Sequence, residues 1–184
     1  MGPRNLILAV LLAVPGGCGG RERPAGEAAV GGAVRETLLT ATMIDRNGVE
    51  IGTAVFRTSP AGLEIALEVR NLPPGEHALH VHENPSCDPP TFESAGGHFN
   101  PERRSHGLRN PNGPHAGDLP NFVVGPDSSV QTQVAADRLT LGGNQFSVLR
   151  GNGTALVIHA GPDDYTTDPS GNAGDRIACG VISP

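Results

Sequence analysis

The sequence contains no lysine and no tryptophan, and only six of its 184 residues are aromatic. A chain this poor in aromatics lacks the stacking platforms on which proteins bind single-stranded nucleic acid. Its 13 basic residues are all arginines and face 19 acidic residues, and the resulting net charge of −6 argues against any nucleic-acid partner. The length suits one domain rather than several.

Glycine and proline are abundant, at 26 and 17 residues. This abundance is typical of short strands joined by ordered loops, and not of a helical bundle. Asn47-Gly48 between two β-prone stretches predicts a hairpin over residues 36–58. Alternating apolar and polar residues over 63–70 predict a half-buried strand. Further strands are expected at 76–83, 122–124, 130–136, 145–148, 154–159 and 177–182. About eight short strands predict an all-β, antiparallel sandwich or barrel with long loops at 84–121 and 160–175.

The amino-terminal end has the pattern of an export signal. Residues 6–14 are a run of nine apolar residues, less than half of the roughly 20 that cross a bilayer. We therefore expect residues 1–17 to be a signal peptide. Cys18 follows two glycines as in a bacterial lipobox, where the cysteine is lipidated and becomes the first mature residue, although Pro15 stands where leucine is usual. Plain secretion is the alternative.

Residues 18–35 are mostly Gly, Ala, Glu and Arg and predict a flexible tether before a folded domain at 36–184. These features predict a location in the periplasm or cell envelope, with membrane contact only through the lipid. Once Cys18 is lipidated or removed, Cys87 and Cys179 remain as an even pair in an oxidising compartment, where we expect them to be bridged. Such a bridge would stabilise the fold by about 4–5 kcal/mol.

Two of the seven histidines lie on one predicted strand. His80 and His82 are two residues apart, so they project from the same face and can converge on one ion. A solvated pair is the plainer interpretation when such a pattern stands alone. His77 has the opposite parity, and we interpret it as a structural, hydrogen-bonded residue. His159 ends an apolar strand. It is a candidate metal ligand only if it faces the His80/His82 pair.

The long loop adds three histidines and an aspartate in the spacing H-x7-H-x8-H-x2-D: His98, His106, His115 and Asp118. Three imidazoles and one carboxylate make a tetrahedral set that suits zinc. Ordering this loop costs entropy that its few apolar residues do not offset, and a metal would supply the missing stabilisation.

Several segments together resemble the copper/zinc superoxide dismutases over roughly 80% of the chain. They are GEHALHVHE at 75–83, AGGHFNP at 95–101, His106, PHAGDLPNF at 114–122, LVIHA at 156–160 and GNAGDRIACGVI at 171–182. The segment after His82 is similar to the bacterial branch. The second long loop is shorter than in the eukaryotic enzymes and has no lysine.

The resemblance implies an eight-stranded Greek-key barrel that binds copper and zinc. The implied copper ligands are His80, His82, His98 and His159; the implied zinc ligands are His98, His106, His115 and Asp118. It also implies His98 as a shared catalytic ligand, Arg176 as the guide for the anion, and a disulfide between Cys87 and Cys179. Asp163 would link a copper ligand to a zinc ligand, with Asp164 as the alternative.

The activity implied is conversion of two superoxide radicals to dioxygen and hydrogen peroxide by Cu(II)/Cu(I) cycling, with a structural zinc. A copper-handling or zinc-stabilised binding module of the same fold is the alternative, and a structural domain with incidental histidines is a further one. The complete ligand set together with Arg176 favours the enzyme, because storage would not require the arginine. Relatives form homodimers through different faces, and the sequence leaves open which face, if either, this chain uses.

Overall fold

The structure, a computed structural model, describes Gly2 and residues 38–184. The predicted signal peptide, the lipidation site Cys18 and the predicted tether lie, apart from Gly2, outside the described residues. They remain predictions. Within the described part of the chain, no helix has the length and hydropathy that crossing a membrane requires.

Nine strands make up most of the regular structure: β1 (Leu38–Asp45), β2 (Glu50–Ser59), β3 (Gly62–Arg70), β4 (Gly75–His77), β5 (Leu79–His82), β6 (Phe122–Val124), β7 (Ser129–Ala136), β8 (Thr154–His159) and β9 (Arg176–Ile182). Seven strands pair in the order β5-β8-β9-β1-β2-β3-β7, and β4 pairs with β6. Every strand pair is antiparallel. Residues 38–184 contain one short 3₁₀ helix, Glu93–Ala95, and no α-helix, which confirms the all-β prediction.

The predicted hairpin joins β1 to β2. Gly48 lies at φ +77° in its turn, and the Asp45 carboxylate accepts the main-chain N–H groups of Asn47 and Val49 at 2.8 and 2.9 Å. The predicted alternation of β3 is also present, since Leu63 and the apolar residues at every second position after it are buried. Local turn chemistry and the period-two pattern were therefore sufficient to predict these strands from the sequence.

Two predicted strands differ in the structure. The strand expected at 76–83 is interrupted at Ala78, which exchanges main-chain hydrogen bonds with Gly161 and His159, so β4 and β5 pair with different partners. The prediction of a strand at 145–148 is wrong, because these residues form turns with a single bridge from Ser147 to Thr140. Its apolar signal came from Phe146 and Val148, which pack on the core from a turn.

The core lies mainly between the facing surfaces of the curled sheet, with large buried residues such as Phe56, Ile65 and Leu156. A smaller cluster includes Phe92 and Val157 beside the bridge between Cys87 and Cys179, whose Cα atoms are 5.6 Å apart. The disulfide prediction is confirmed. The bridge ties the long loop to β9 and so fixes one wall of the region where the histidines lie.

Candidate metal centre

Strand β5 presents His80 and His82 to the long loop, which returns alongside it. Val81 exchanges main-chain hydrogen bonds with Gly117 and Phe99 on the returning loop, at 2.8 to 2.9 Å. A side chain at Gly117 would place its Cβ 2.3 Å from the carbonyl oxygen of Val81, so only glycine allows this close approach. The pairing places His98 beside His82 and Asp118 beside His80.

His159 reaches the same region from β8. A register shift between Ile158 and His159 interrupts the pairing with β9 at this point. The ring centroid of His159 lies 4.8 Å from that of His80 and 5.7 Å from that of His82. His159 thus faces the β5 pair. His77 is directed elsewhere, with its two ring nitrogens 2.8 Å from carbonyl oxygens of His159 and Pro73.

Four buried ring nitrogens converge here without a hydrogen-bond partner. They are Nδ1 of His80 and Nε2 of His82, His98 and His159. The candidate ligand atoms of these four residues lie within 4.8 Å of one another. Leaving a buried polar atom unpaired costs about 1–3 kcal/mol. Four such atoms facing one another are typical of a site built for a cation.

The second nitrogen of each ring fixes its tautomer. Nδ1 of His82 donates to the Gly96 carbonyl at 3.0 Å, and Nδ1 of His159 donates to the Gly174 carbonyl at 3.1 Å. In the other two rings, the second nitrogen lies 2.9 Å from a carboxylate oxygen of Asp163 or Asp118. With the proton held on that nitrogen, each converging nitrogen keeps a free lone pair.

Burial keeps these imidazoles neutral. It lowers the pKa of His98 to about 4, against the opposing hydrogen bond to Asp118. Burial, followed by repulsion from His80, lowers the pKa of His159 to about 3. The pKa values of His82 and His80 are also lowered, mainly by burial. Neutral imidazoles can bind a metal ion without first losing a proton.

A second cluster surrounds the carboxylate of Asp118. Its Oδ1 lies 2.9 Å from Nδ1 of His98, 2.9 Å from Nδ1 of His106 and 3.3 Å from Nδ1 of His115. Its Oδ2 accepts the main-chain N–H groups of Gly107 and His115 at 2.9 Å each. One carboxylate oxygen and three imidazole nitrogens therefore face a common point.

The charges of this second cluster also favour a cation. Burial raises the pKa of Asp118, but hydrogen bonds from His106, His115 and His98 outweigh it and hold the pKa well below its usual range. Burial lowers the pKa of His106, yet its hydrogen bonds to Asp118 and Asp163 prevail and raise that pKa to about 9. Without a metal ion, His106 thus supplies the positive charge that the carboxylates attract.

Ligand spacing alone places His80, and not His115, in this second group. His80, His98, His106 and Asp118 offer atoms within 4.8 Å of one another. However, Nε2 of His80 is hydrogen-bonded to Asp163, and its Nδ1 belongs to the first cluster. His115, by contrast, places Nδ1 3.3 Å from both Nδ1 of His98 and Oδ1 of Asp118. We therefore favour His115 as the fourth ligand.

Asp163 connects the two clusters. Its Oδ2 lies 2.9 Å from Nε2 of His80, and its Oδ1 lies 3.0 Å from Nε2 of His106. Burial raises the pKa of Asp163, but the hydrogen bonds from these two histidines hold it below its usual range. The neighbouring Asp164 is exposed and accepts hydrogen bonds from Thr166, Thr167 and Asn172 instead.

Arg176 lies at the edge of the first cluster, at the start of β9. Its guanidinium donates to the carbonyl oxygens of Phe92 and Gly96 at 2.6 and 2.7 Å. Its positive charge contributes to the lowered pKa values of His82 and His159. A half-buried guanidinium is thus held rigidly next to two candidate ligands.

The family model described as copper/zinc superoxide dismutase matches residues 50–182. The chain belongs to the copper/zinc superoxide dismutase family. Copper/zinc superoxide dismutase 1 of Aquifex aeolicus is 51% identical over 150 residues, which cover 80% of this chain and 89% of the relative. A superoxide dismutase-like protein of Bacillus subtilis is 43% identical over 143 residues, covering 76% of this chain and 73% of the relative.

Solved structures agree with this membership in the copper/zinc superoxide dismutase family. The copper/zinc superoxide dismutase from Brucella abortus superposes with a TM-score of 0.69 at 34% identity, covering 80% of this chain and all of that one. The superoxide dismutase-like protein of B. subtilis gives a TM-score of 0.76 at 42% identity, covering 78% of this chain and 97% of that one. These neighbours confirm the predicted Greek-key barrel.

Sequence reasoning missed several groups that hold this dismutase-type centre in place. The carbonyl oxygens of Gly96 and Gly174 orient two imidazoles, but main-chain atoms leave no signal in residue type. Asn121, within the segment at 114–122, holds the main chain of Asp163. Tyr165 also contacts Asp163, and its being the only tyrosine was a signal that could have drawn attention.

Proposed function

We propose that the protein converts two superoxide radicals and two protons to dioxygen and hydrogen peroxide, with copper at the first cluster and zinc at the second. The four converging, unpaired ring nitrogens support this function most directly. Neutral imidazoles suit both oxidation states of copper, whereas zinc has no redox chemistry and suits the closed set of three nitrogens and one oxygen.

The geometry supports a set of candidate ligands for each site. Copper would be held by the four unpaired nitrogens of His80, His82, His98 and His159. Zinc would be held by Nδ1 of His98, His106 and His115 and by Oδ1 of Asp118. When bound, copper would supply the one-electron steps between Cu(II) and Cu(I). Zinc would supply a fixed charge that stabilises the long loop.

His98 would connect the two sites by offering one ring nitrogen to each, for which it must give up the Nδ1 proton that it donates to Asp118 in the metal-free chain. Its Nδ1 faces the Asp118 carboxylate, and its Nε2 faces the other three copper ligands. Its Nε2 could hold a proton and donate it to the peroxide that forms, which would supply one of the two protons that the reaction needs. Asp163 would hold His80 and His106 in fixed orientations on either side.

Arg176 would attract and orient the superoxide anion. Its guanidinium is fixed by two carbonyl oxygens and is not neutralised by a bonded carboxylate among the described residues. A fixed positive charge in a half-buried position acts within about 8 Å at physiological salt. Metal storage would not require such a group, so Arg176 favours dismutation over copper handling.

Superoxide decay, followed directly by pulse radiolysis, tests the function. The chain loaded with copper and zinc should remove superoxide at a nearly diffusion-limited rate, and the chain loaded with zinc alone should not. This test is needed because the fold also occurs in a relative named only as superoxide dismutase-like. Stoichiometric copper without fast decay would refute dismutation and indicate copper handling.

The disulfide is typical of a protein that matures outside the reducing cytosol. We propose that residues 1–17 are removed on export to the periplasm or cell envelope and that Cys18 is lipidated. Mass spectrometry of the mature chain tests this, because a lipidated and a plainly secreted amino terminus differ in mass. Association into a homodimer, the remaining expectation from the family, is tested by light scattering of the purified protein.

A further inference from the structure

Tyr165 is the only tyrosine of the chain and lies two residues after Asp163. Its main-chain N–H donates to Oδ1 of Asp163 at 2.6 Å. The same carboxylate oxygen lies 3.0 Å from Nε2 of His106. Tyr165 adopts a left-handed conformation, φ +65°, that a non-glycine residue adopts only when its surroundings hold it there.

The phenol hydroxyl of Tyr165 closes a ring of hydrogen bonds around Asp163. It accepts the main-chain N–H of Asn121 at 2.7 Å. The side-chain amide of Asn121 in turn donates to the carbonyl oxygen of Asp163 at 3.0 Å and accepts the N–H of Asp163 at 3.0 Å. Asn121 therefore holds the main chain of Asp163, and Tyr165 holds its carboxylate.

The other side of Tyr165 is held by the loop that carries the candidate zinc ligands. The guanidinium carbon of Arg109 lies 4.9 Å from the centre of the phenol ring, and the N–H of Arg109 donates to the Tyr165 carbonyl at 3.0 Å. At Gly107, next to His106, an added Cβ would come within 2.2 Å of that carbonyl oxygen. Tyr165, which belongs to the second long loop, is thus in close contact with the first.

We propose that Tyr165 is a positioning residue that, through its main-chain N–H and its hydroxyl, fixes the Asp163 carboxylate between His80 and His106. The inference rests on the proposed zinc site, because His106 is one of its four ligands. Partners of metal-bound histidines commonly change metal affinity by about 10- to 100-fold when they are lost. Tyr165 acts one contact further away, so the lower end of that range is expected.

The test compares two variants that each lose one hydroxyl from neighbouring residues. Tyr165→Phe removes the acceptor of the Asn121 N–H and keeps the ring beside Arg109. Thr166→Val removes a hydroxyl that donates only to Asp164, at 3.2 Å. Zinc retention is measured on the full chain by competition with a chromophoric chelator. Cobalt(II) is used as a second probe, since its visible spectrum reports the arrangement of its ligands.

We expect Tyr165→Phe to weaken zinc retention about tenfold and to shift the cobalt spectrum, while Thr166→Val behaves as the wild type. In an Asp163→Asn background, Tyr165→Phe should have no further effect, because Tyr165 acts through that carboxylate. A merely structural role would lower the stability of the metal-free chain and leave zinc retention and the cobalt spectrum unchanged.

Two results would overturn the inference while leaving the zinc site intact: wild-type zinc retention in Tyr165→Phe, or an undiminished effect of Tyr165→Phe in the Asp163→Asn background. A wild-type chain that binds no zinc stoichiometrically would refute the proposed function as well as the role of Tyr165.

Discussion

Replacing Gly171 by alanine should disrupt the contact between Asp163 and His106. Gly171 lies in the second long loop at φ +63°, and an added Cβ would come 1.8 Å from Oδ1 of Asp163 and 2.8 Å from Nε2 of His106. Atoms cannot approach so closely, so either the carboxylate or the loop must move. The carboxylate cannot move without losing its hydrogen bonds to His80 and His106.

The cost follows from two contributions. An alanine in the left-handed conformation costs about 1–2 kcal/mol relative to glycine. Loss of one hydrogen bond to a charged group adds about 1.5–3 kcal/mol. Gly171→Ala should therefore lower the free energy of unfolding of the metal-free chain by about 2.5–5 kcal/mol. Because the displaced carboxylate orients a zinc ligand, zinc affinity should fall about 10- to 100-fold.

Gly174→Ala is a matched control for this prediction. Gly174 lies in the same loop at φ +77°, but its Cβ would meet only the Cβ of Ala160, at an ordinary 3.7 Å. It should show the backbone cost of about 1–2 kcal/mol and keep its zinc. Urea unfolding with and without zinc, and chelator competition, measure both effects. Equal losses in the two variants, or unchanged zinc affinity in Gly171→Ala, would refute the reasoning.

Three further predictions concern the guide residue, the bridge and the imidazoles. Arg176→Ala should slow superoxide decay severalfold and flatten its dependence on ionic strength in pulse radiolysis, and unchanged kinetics would remove the guide role. Cys87→Ser should lower the free energy of unfolding by about 4–5 kcal/mol in urea, and identical unfolding of the oxidised and reduced wild type would contradict this. The pKa values of His98 and His159 lie at about 4 and 3, below the ordinary 6.5, so the unfolded chain binds protons first as the pH falls. The free energy of unfolding is therefore highest above pH 6.5 and decreases as the pH falls from 6.5 towards those values. The metal-free chain should therefore lose about 3 kcal/mol per group by pH 4, whereas the contribution of His106 is lost above pH 9. A urea midpoint that stays flat from pH 7 to pH 4 would contradict the acid effect.

The parts of the fold that sequence could predict are those set by local chemistry. The Asn47-Gly48 turn and the alternation of β3 each depend on a few neighbouring residues, and the structure contains both. His80 and His82 share a face because side chains alternate along a strand. Local patterns could not predict the metal centre as a whole, because residues from β5, β8 and the long loop come together only after folding. The family resemblance supplied the prediction that they do.

Other features depended on contacts that no local pattern reveals. Residues 145–148 have an apolar strand-like composition, but the Asn144 side chain accepts the Phe146 N–H at 2.8 Å and holds a turn instead. The interruption of β4 and β5 at Ala78 likewise depends on hydrogen bonds to a distant loop. The carbonyl oxygens that orient His82 and His159 come from glycines, whose positions follow only from the tertiary structure.

The charges around Arg176 show how a protein of net charge −6 can still attract an anion. A depression of about 270 Å³ beside Arg176 is also lined by Arg46, Glu93 and Asp175. Arg46 pairs with Asp175 at 3.3 Å, and the negative charge of Glu93 offsets that of Arg176. This opening therefore carries no net formal charge and adds little attraction at long range. Attraction must then arise close to the metals, where screening is weakest.

One carbonyl oxygen sets that short-range geometry. Gly96 accepts hydrogen bonds from both Nδ1 of His82 and the guanidinium of Arg176, at 3.0 and 2.7 Å. The proposed guide Arg176 and a candidate copper ligand are therefore positioned by the same atom, so a shift of the Gly96 segment would move both together. The bridge between Cys87 and Cys179 anchors that segment to β9, the strand that begins with Arg176. The disulfide would thus stabilise the fold and also hold the proposed anion guide, Arg176, at a fixed distance from the proposed copper ligands.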